Sequence, residues 1–168
     1  MIFASDMPGG YGGFDLYMVP IINGFFGRPM NLGPKVNTEG DEVFPFIHES
    51  GWLYYSSDGL LGLGGYDVCK TKYVANDWLV PTNMQGPINS SVDDFCFIAD
   101  SAQVNGFVSS NRVGGKGSDD IYAWRFDETA ESYNLYGKII DENGIRATGV
   151  TVYLKNQDGD VLANTKVD

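Results

Sequence analysis

Residues that could support hydrolysis, metal binding or phosphate binding are few in this chain of 168 residues. Its single histidine, His48, follows an apolar stretch, and no Gly-x-Ser-x-Gly nucleophile elbow accompanies it. One histidine and two cysteines do not make the ligand cluster of a zinc site. Residues 113–118 lack the Gly-Lys-[Ser/Thr] ending of a phosphate-binding loop, and no predicted helix follows them. We therefore predict no catalytic residue, no metal and no cofactor, and we expect that the chain is not an enzyme.

A calcium site is the alternative that residues 114–122 suggest, because they match the Gly-Gly-x-Gly-x-Asp nonapeptide of calcium-binding β-rolls. Such sites form only between successive stacked nonapeptide turns, whereas the related loops of this chain recur at spacings of 52 and 53 residues. We instead expect the glycines to supply positive φ for tight loops. The aspartate after each loop is expected to accept hydrogen bonds from loop amides and from the serine hydroxyl across the hairpin. These aspartates are Asp15, Asp67 and Asp120.

The loops belong to a unit that occurs three times, which is typical of a propeller or another repeat array. In each copy a strand ends in serine, a glycine-rich loop follows, and the next strand begins at the aspartate. The residue after the serine is Asp or Asn, which favours an Asx-turn. The repeated motif residues are Ser5, Asp6, Gly12, Gly13, Asp15, Ser57, Asp58, Gly64, Gly65, Asp67, Ser110, Asn111, Gly117 and Asp120.

The segments between the loops also repeat. The connector 31–37 returns as 83–89, and the segment 41–47 returns as 93–98. The middle copy predicts strands at 43–48, 52–57, 66–73 and 77–83, and several are apolar on both faces. Strands covered on both faces give such runs, and propeller blades are covered in this way. The fold class predicted for residues 1–127 is therefore all-β, a partial β-propeller of about three blades of four-stranded antiparallel sheet, without long helices.

Residues 128–134 are polar and interrupt the repeat, so we predict a linker there. Residues 135–168 alternate apolar and polar residues around Asn143-Gly144 and Asp158-Gly159, which are strong hairpin signals. These signals predict antiparallel strands within residues 135–168.

Together, the strand ends, the Asn-x-Gly-Pro-x-Asn connector and the Asp-Glu-x-Phe-Pro-Phe opening resemble WD40-like (PD40) propeller repeats over residues 2–126. They look most like the repeats of periplasmic OmpA-family proteins, including one associated with type IX secretion. Residues 135–168 resemble the start of a carboxypeptidase regulatory-like domain. The resemblance implies a β-sandwich, and we expect it to be truncated here because such a domain needs about 80–100 residues. The resemblance implies a non-enzymatic scaffold of the bacterial cell envelope, periplasmic or outer-membrane-associated, that presents a surface to protein partners. The alternatives are an accessory propeller of a peptidase and a carbohydrate- or peptide-binding module that uses Trp52, Trp78 and Trp124.

The charge of the chain limits its partners. With 11 basic and 22 acidic residues, its formal net charge of −11 argues against binding nucleic acid. No apolar stretch approaches the ~20 residues of a membrane span, so we expect no direct membrane insertion, and residues 1–20 lack the pattern of a signal peptide. The acidic turns are expected to form a solvated face, or alternatively to help a basic partner dock. These acidic residues are Glu39, Asp41, Glu42, Asp93 and Asp94.

Two further expectations concern packing. We expect Cys69 and Cys96, which aligns with Pro45, to be buried thiols that act as small hydrophobes, with a disulfide as the alternative. We also expect the first unit to lack its first strand and the third its fourth. Each would then leave an apolar face that blades encoded upstream would cover.

Overall fold

The computed structural model describes residues 1–126, 140, 148, 150–155 and 161–166. These residues form an all-β protein of antiparallel sheets, and no helix occurs among them, which confirms the predicted fold class at this level. Contacts divide the chain into two compact units, Met1–Glu128 and Thr129–Asp168. The predicted linker 128–134 lies outside the described residues.

The first sheet contains strands β1 (Ile2–Ser5), β2 (Asp15–Met18) and β5 (Met30–Asn31) in the order β1-β2-β5. Between β2 and β5 a short hairpin is formed by β3 (Ile21–Ile22) and β4 (Phe25–Phe26). Ser5 pairs with Asp15 where the glycine-rich loop leaves and re-enters the sheet.

The second sheet contains β6 (Glu42–Ile47), β7 (Trp52–Ser57), β8 (Asp67–Val74) and β10 (Thr82–Asn83) in the order β10-β8-β7-β6. A short strand, β9 (Asp77–Trp78), extends β8 as a hairpin. Three of the four predicted strands form as β6, β7 and β8, and the fourth, predicted at 77–83, is divided into β9 and β10.

The third sheet contains β11 (Asp94–Ala99), β12 (Asn105–Ser110) and β13 (Asp120–Arg125) in the order β11-β12-β13. Its pairing of Ser110 with Asp120 repeats the pairing of Ser57 with Asp67. No fourth strand joins this sheet within residues 1–126. In the second compact unit, β14 (Thr151–Lys155) pairs antiparallel with β15 (Val161–Lys166).

Strands β6 and β11 each contain a register shift at the same place in the repeat, and this shift corrects the alignment of Cys96. The register shifts between Val43 and Phe46 in β6 and between Phe95 and Ile98 in β11. Inside these shifts, Phe44 has φ 54° and Cys96 has φ 53°, a left-handed conformation that bulges use. Cys96 is therefore the counterpart of Phe44, so its alignment with Pro45 was wrong by one residue.

Two apolar clusters hold the sheets face to face. The first joins residues of the first sheet and its connector to the second sheet: Leu16, Leu32, Val36, Leu53, Tyr55, Cys69 and Trp78. The second joins the second sheet and its connector to the third: Tyr54, Val68, Ile88, Phe97 and Val108. Successive residues of β7 thus point into different clusters, which explains why this strand is apolar on both faces.

Candidate functional site

The three glycine-rich loops, residues 6–14, 58–66 and 111–119, each connect two neighbouring strands of one sheet, and we call them the loop row. The aspartate that follows each loop folds it back by accepting two amide hydrogen bonds. Asp15 accepts from Tyr11 N at 2.7 Å and Gly12 N at 3.2 Å. Asp67 accepts from Leu63 N at 2.6 Å and Gly64 N at 3.3 Å. Asp120 accepts from Lys116 N at 2.7 Å and Gly117 N at 3.0 Å. The predicted role of the three aspartates toward loop amides is confirmed.

The glycines of the loops are needed for space more than for positive φ. A Cβ on Gly10, Gly62 or Gly115 would lie 2.5, 1.6 or 2.1 Å from a carboxylate oxygen of the aspartate that folds the loop. No role was predicted for this glycine position, although its steps of 52 and 53 residues match those of the motif. Positive φ occurs at Gly9 and Gly114, so the predicted role is confirmed for these two loop glycines and was wrong for the motif glycines Gly12, Gly13, Gly64, Gly65 and Gly117.

Other motif glycines let the next sheet approach. A Cβ on Gly12 would lie 2.2 Å from the carbonyl oxygen of Gly40, and one on Gly64 would lie 2.0 Å from that of Val92. On Gly13 and Gly65 it would lie 2.1 and 2.2 Å from the Oδ1 atoms of Asp41 and Asp93. At Gly117 the nearest atom, 3.4 Å away, belongs to the same loop.

The motif serines were expected to donate to the aspartates across the hairpin, but Ser57 and Ser110 have other partners. Ser57 Oγ donates to Glu42 Oε1 at 2.7 Å and accepts from Gly59 N at 3.1 Å. Ser110 Oγ accepts from Arg112 N at 3.1 Å. The expectation failed because β6 places Glu42 directly opposite Ser57.

The Asx position also acts differently from the prediction, because the serine caps the turn. Asp58 Oδ1 accepts from Asp41 N at 2.7 Å, and Asn111 Oδ1 accepts from Asp93 N at 2.9 Å. Asn111 therefore replaces Asp58 without losing the acceptor. In the first sheet Asp6 is exposed, and no strand equivalent to β6 lies beside it in the described residues.

Asp41 and Asp93 fasten each loop to the next sheet. Asp41 Oδ1 accepts from Phe14 N at 2.6 Å, and Asp93 Oδ1 accepts from Tyr66 N at 3.0 Å. Tyr66 Oη also donates to Asp41 Oδ2 at 3.1 Å. Desolvation, followed by this bond to Asp41, raises the pKa of Tyr66 to about 12. These contacts place the three loops side by side.

Two of the acidic residues expected on a solvated face are fully buried, so that expectation was wrong for them. Glu42 accepts from Thr38 N at 2.7 Å and Thr38 Oγ1 at 2.6 Å, and burial raises its pKa despite these bonds. Asp94 accepts from Ser90 N at 2.5 Å and pairs with Arg112 Nη2 at 2.5 Å. Neither carboxylate is available to a basic partner.

The connector asparagines take the place of a neighbouring strand. Asn37 Oδ1 accepts from Leu16 N at 2.8 Å, while its Nδ2 donates to Leu16 O at 3.0 Å. Asn89 does the same with Val68, at 2.8 and 2.9 Å. The repetition of the connector was predicted from the sequence, but no role was predicted for its asparagines.

The histidine and the two cysteines are the remaining candidate residues, and their contacts are those of residues that support the fold. His48 is 5% exposed, with Nδ1 2.7 Å from Ser50 Oγ and Nε2 3.0 Å from the carbonyl oxygen of Asp100, so it joins the turns of the second and third sheets. Both cysteines are free, Cys69 buried and Cys96 exposed, which corrects the expectation for Cys96. Burial is the main cause that raises the pKa of Cys69 to about 12.

The three tryptophans do not share one pocket. Trp78 belongs to the first apolar cluster, whereas Trp52 and Trp124 pack against the second. Trp124 stacks on Phe97 with ring centroids 5.0 Å apart, and the ammonium of Lys70 lies 5.2 Å from the ring of Trp52. Their surroundings are those of packing residues.

Apolar side chains project from the loop row into solvent. Leu61 is 98% exposed and Val113 is 100% exposed, and Tyr11 and Leu63 are about half exposed. Because the loop backbones are held by the aspartates, these side chains are presented on a fixed frame. Such an arrangement can contact another molecule but offers no acid–base pair or nucleophile.

Comparison of the chain with protein-family models, with curated proteins and with solved structures found no match. Among the described residues, no group of three or more His, Cys, Asp or Glu is placed to hold a metal ion. No helix among them is long and apolar enough to cross a membrane.

Proposed function

We propose that residues 1–126 form part of a β-propeller that acts as a non-enzymatic scaffold and binds a protein partner through the loop row. The observation that carries the proposal is that one arrangement of neighbouring sheets occurs twice. Asp41 fastens the second sheet to Phe14 of the first, and Asp93 fastens the third to Tyr66 of the second. When the same contact relates each sheet to the next, the array continues by a repeated rotation, as blades of a propeller do.

The loop row supports a binding role because it combines a rigid backbone with exposed apolar side chains. Binding residues are often found on loops positioned by a rigid scaffold. The motif aspartates of these loops accept hydrogen bonds from loop amides. Leu61 and Val113, in contrast, remain exposed to solvent. A surface of this kind favours a protein partner with an apolar patch. By resemblance alone, we place this partner in the bacterial cell envelope, with the proteins of type IX secretion among the candidates.

The hairpin of β14 and β15 agrees with the second part of the proposal, that residues 135–168 begin a carboxypeptidase regulatory-like β-sandwich. The alternative of a carbohydrate-binding propeller is less favoured, because Trp78 lies in the core and Trp124 stacks on Phe97. An accessory role beside a peptidase would use the same loop row and remains a second form of the scaffold proposal.

The test is capture of envelope proteins by the immobilised full chain. We expect a protein that wild type captures to be lost when Leu61→Asp and Val113→Asp are combined, because a carboxylate must then be desolvated against an apolar surface. Val80→Asp is the matched control, since Val80 is 77% exposed and lies outside the loop row. Equal capture by the loop variant and by the control would contradict the proposed surface.

A further inference from the structure

One aromatic and two basic side chains meet on the second sheet, at the end of β7 and β8 that lies away from the loop row. Trp52 pairs with Lys72 across these strands, and Tyr54 pairs with Lys70. The ammonium groups of Lys70 and Lys72 lie 5.2 and 5.7 Å from the centroid of the Trp52 ring. We call Trp52, Lys70 and Lys72 the basic face.

The repeat does not account for the basic face, because neither of the other sheets has it. The third sheet keeps a basic side chain at only one of the three positions, and the first sheet has no basic residue at either lysine position. The residues at the positions of Trp52, Lys70 and Lys72 are Asn105, Ala123 and Arg125 in the third sheet, and those at the lysine positions are Met18 and Pro20 in the first. The sheets therefore form without this set of side chains, and its presence in the second sheet needs another reason.

The fold holds the two lysine side chains in place. Both are half-buried, and alternation along β8 puts them on the same face as Val68, which belongs to the second apolar cluster. The turn before β7 lies against Lys72, since a Cβ on Gly51 would be 3.3 Å from Cε of that lysine. Side chains that are already ordered lose less entropy when they bind a ligand.

The basic face lacks a counter-charge in the part of the chain that the structure describes. The salt bridges found there involve other basic side chains. A strand rises about 3.3 Å per residue, so two residues on one face are about 6.6 Å apart, and Lys70 and Lys72 place two like charges at this spacing. In a chain with a net charge of −11, such a site is complementary to an acidic ligand.

The geometry indicates which acidic ligand fits. The two ammonium groups lie over the Trp52 ring and occupy surface that would otherwise be open for a sugar to stack on. An extended peptide with acidic residues at alternate positions presents carboxylates at the same spacing of about 6.6 Å. Such a peptide can place one carboxylate at each lysine.

We propose that the basic face binds an extended acidic segment of a protein partner, with its carboxylates two residues apart. This surface goes beyond the proposed function, because the loop row lies at the other end of the second sheet and uses apolar side chains. The two surfaces can therefore be tested separately.

The test is titration of the full chain with a short synthetic peptide of alternating glutamate and threonine, followed through the indole N–H signal of Trp52 by nuclear magnetic resonance. We expect a saturable shift of this signal, and added salt should weaken the binding. A peptide of the same composition, in which pairs of glutamates alternate with pairs of threonines, has no two glutamates two residues apart. It should bind about threefold more weakly, because it can place only one carboxylate at the two lysines.

Two double variants with the same change of charge locate the site. Lys70→Met combined with Lys72→Met keeps the apolar stems, and methionine is the residue of the first sheet at position 70, so unchanged circular dichroism is expected. This variant should bind the alternating peptide about tenfold more weakly than wild type does. Arg28→Met combined with Lys116→Met removes two exposed charges elsewhere and should bind it as wild type does.

Three results would overturn the inference. The first is the absence of a saturable shift in wild type, and the second is equal binding of the two peptides. The third is equal weakening by the two double variants, because the attraction would then depend on total charge alone. Saturable binding of polygalacturonate without binding of either peptide would also overturn it and assign the basic face to an anionic polysaccharide.

Discussion

Replacing Asn89 by alanine should destabilise the second sheet strongly. Asn89 is 3% exposed, and its side chain holds Val68 N at 2.8 Å and Val68 O at 2.9 Å. It also donates to Asn83 Oδ1 at 2.8 Å. Alanine leaves the Val68 amide without an acceptor in the core between the second and third sheets, whereas Val68 O keeps the amide of Met84 as a donor.

The magnitude follows from the Val68 amide, because Val68 O keeps a hydrogen bond from Met84 N at 3.0 Å. A buried donor left unpaired costs about 1–3 kcal/mol, so Asn89→Ala should lower the free energy of unfolding by about 1–3 kcal/mol. Because Asn37 bonds to Leu16 in the same way, at 2.8 and 3.0 Å, Asn37→Ala should show a similar loss. The neighbouring Ser91 is exposed, and Ser91→Ala should change stability by less than about 0.5 kcal/mol.

The assay is urea unfolding of the full chain, followed by tryptophan fluorescence, with hydrogen exchange of the Val68 amide as a local measurement. Exchange at Val68 should accelerate in Asn89→Ala and remain unchanged in Ser91→Ala. If Asn89→Ala unfolds at the same urea concentration as Ser91→Ala, the asparagine does not substitute for a strand and the reasoning is refuted.

Three more predictions concern buried groups. Burial raises the folded-state pKa of Glu42 above its ordinary value of 4.5, so the folded protein binds this proton more tightly than the unfolded chain does. The stability of wild type relative to Glu42→Gln should therefore fall as pH rises from 4.5. Urea unfolding at several pH values would detect this fall, and a rise in wild-type stability relative to Glu42→Gln would contradict the prediction. Asp67→Ala should cost about 1–3 kcal/mol by freeing the loop amides, whereas unchanged thermal stability would show that the carboxylate does not hold the loop. A thiol reagent should label exposed Cys96 and leave Cys69 unlabelled until the protein unfolds, and rapid labelling of both would contradict the burial of Cys69.

The arrangement of strands could be predicted from the sequence because it depends on local signals. The spacing of Ser57 and Asp67 fixed the hairpin of β7 and β8, and the apolar run before Ser57 indicated coverage on both faces. The propeller itself, its blade number and its partner remain predictions, because they depend on residues and molecules beyond these contacts.

Side-chain partners could not be predicted, because they depend on contacts between distant segments. Ser57 was assigned to Asp67, which faces it across the hairpin, but the strand on its other side brings Glu42 within 2.7 Å. The acidic pair at 41 and 42 was interpreted as one solvated turn, whereas β6 buries Glu42 and leaves Asp41 to accept from Phe14. Charge alone cannot separate these two environments.

The stacking of one repeat unit on the next is the central claim, and proton–proton nuclear Overhauser effects between aromatic rings test it most directly. Tyr54 of the second sheet and Phe97 of the third have ring centroids 4.7 Å apart, and Phe44 and Phe95 are 5.3 Å apart. Within the second sheet, Phe46 and Tyr54 are 6.1 Å apart and provide the control. If the repeat units stack in this way, both pairs of rings between the sheets should give cross-peaks. A spectrum that shows the control cross-peak but neither of the pairs between the sheets would contradict it.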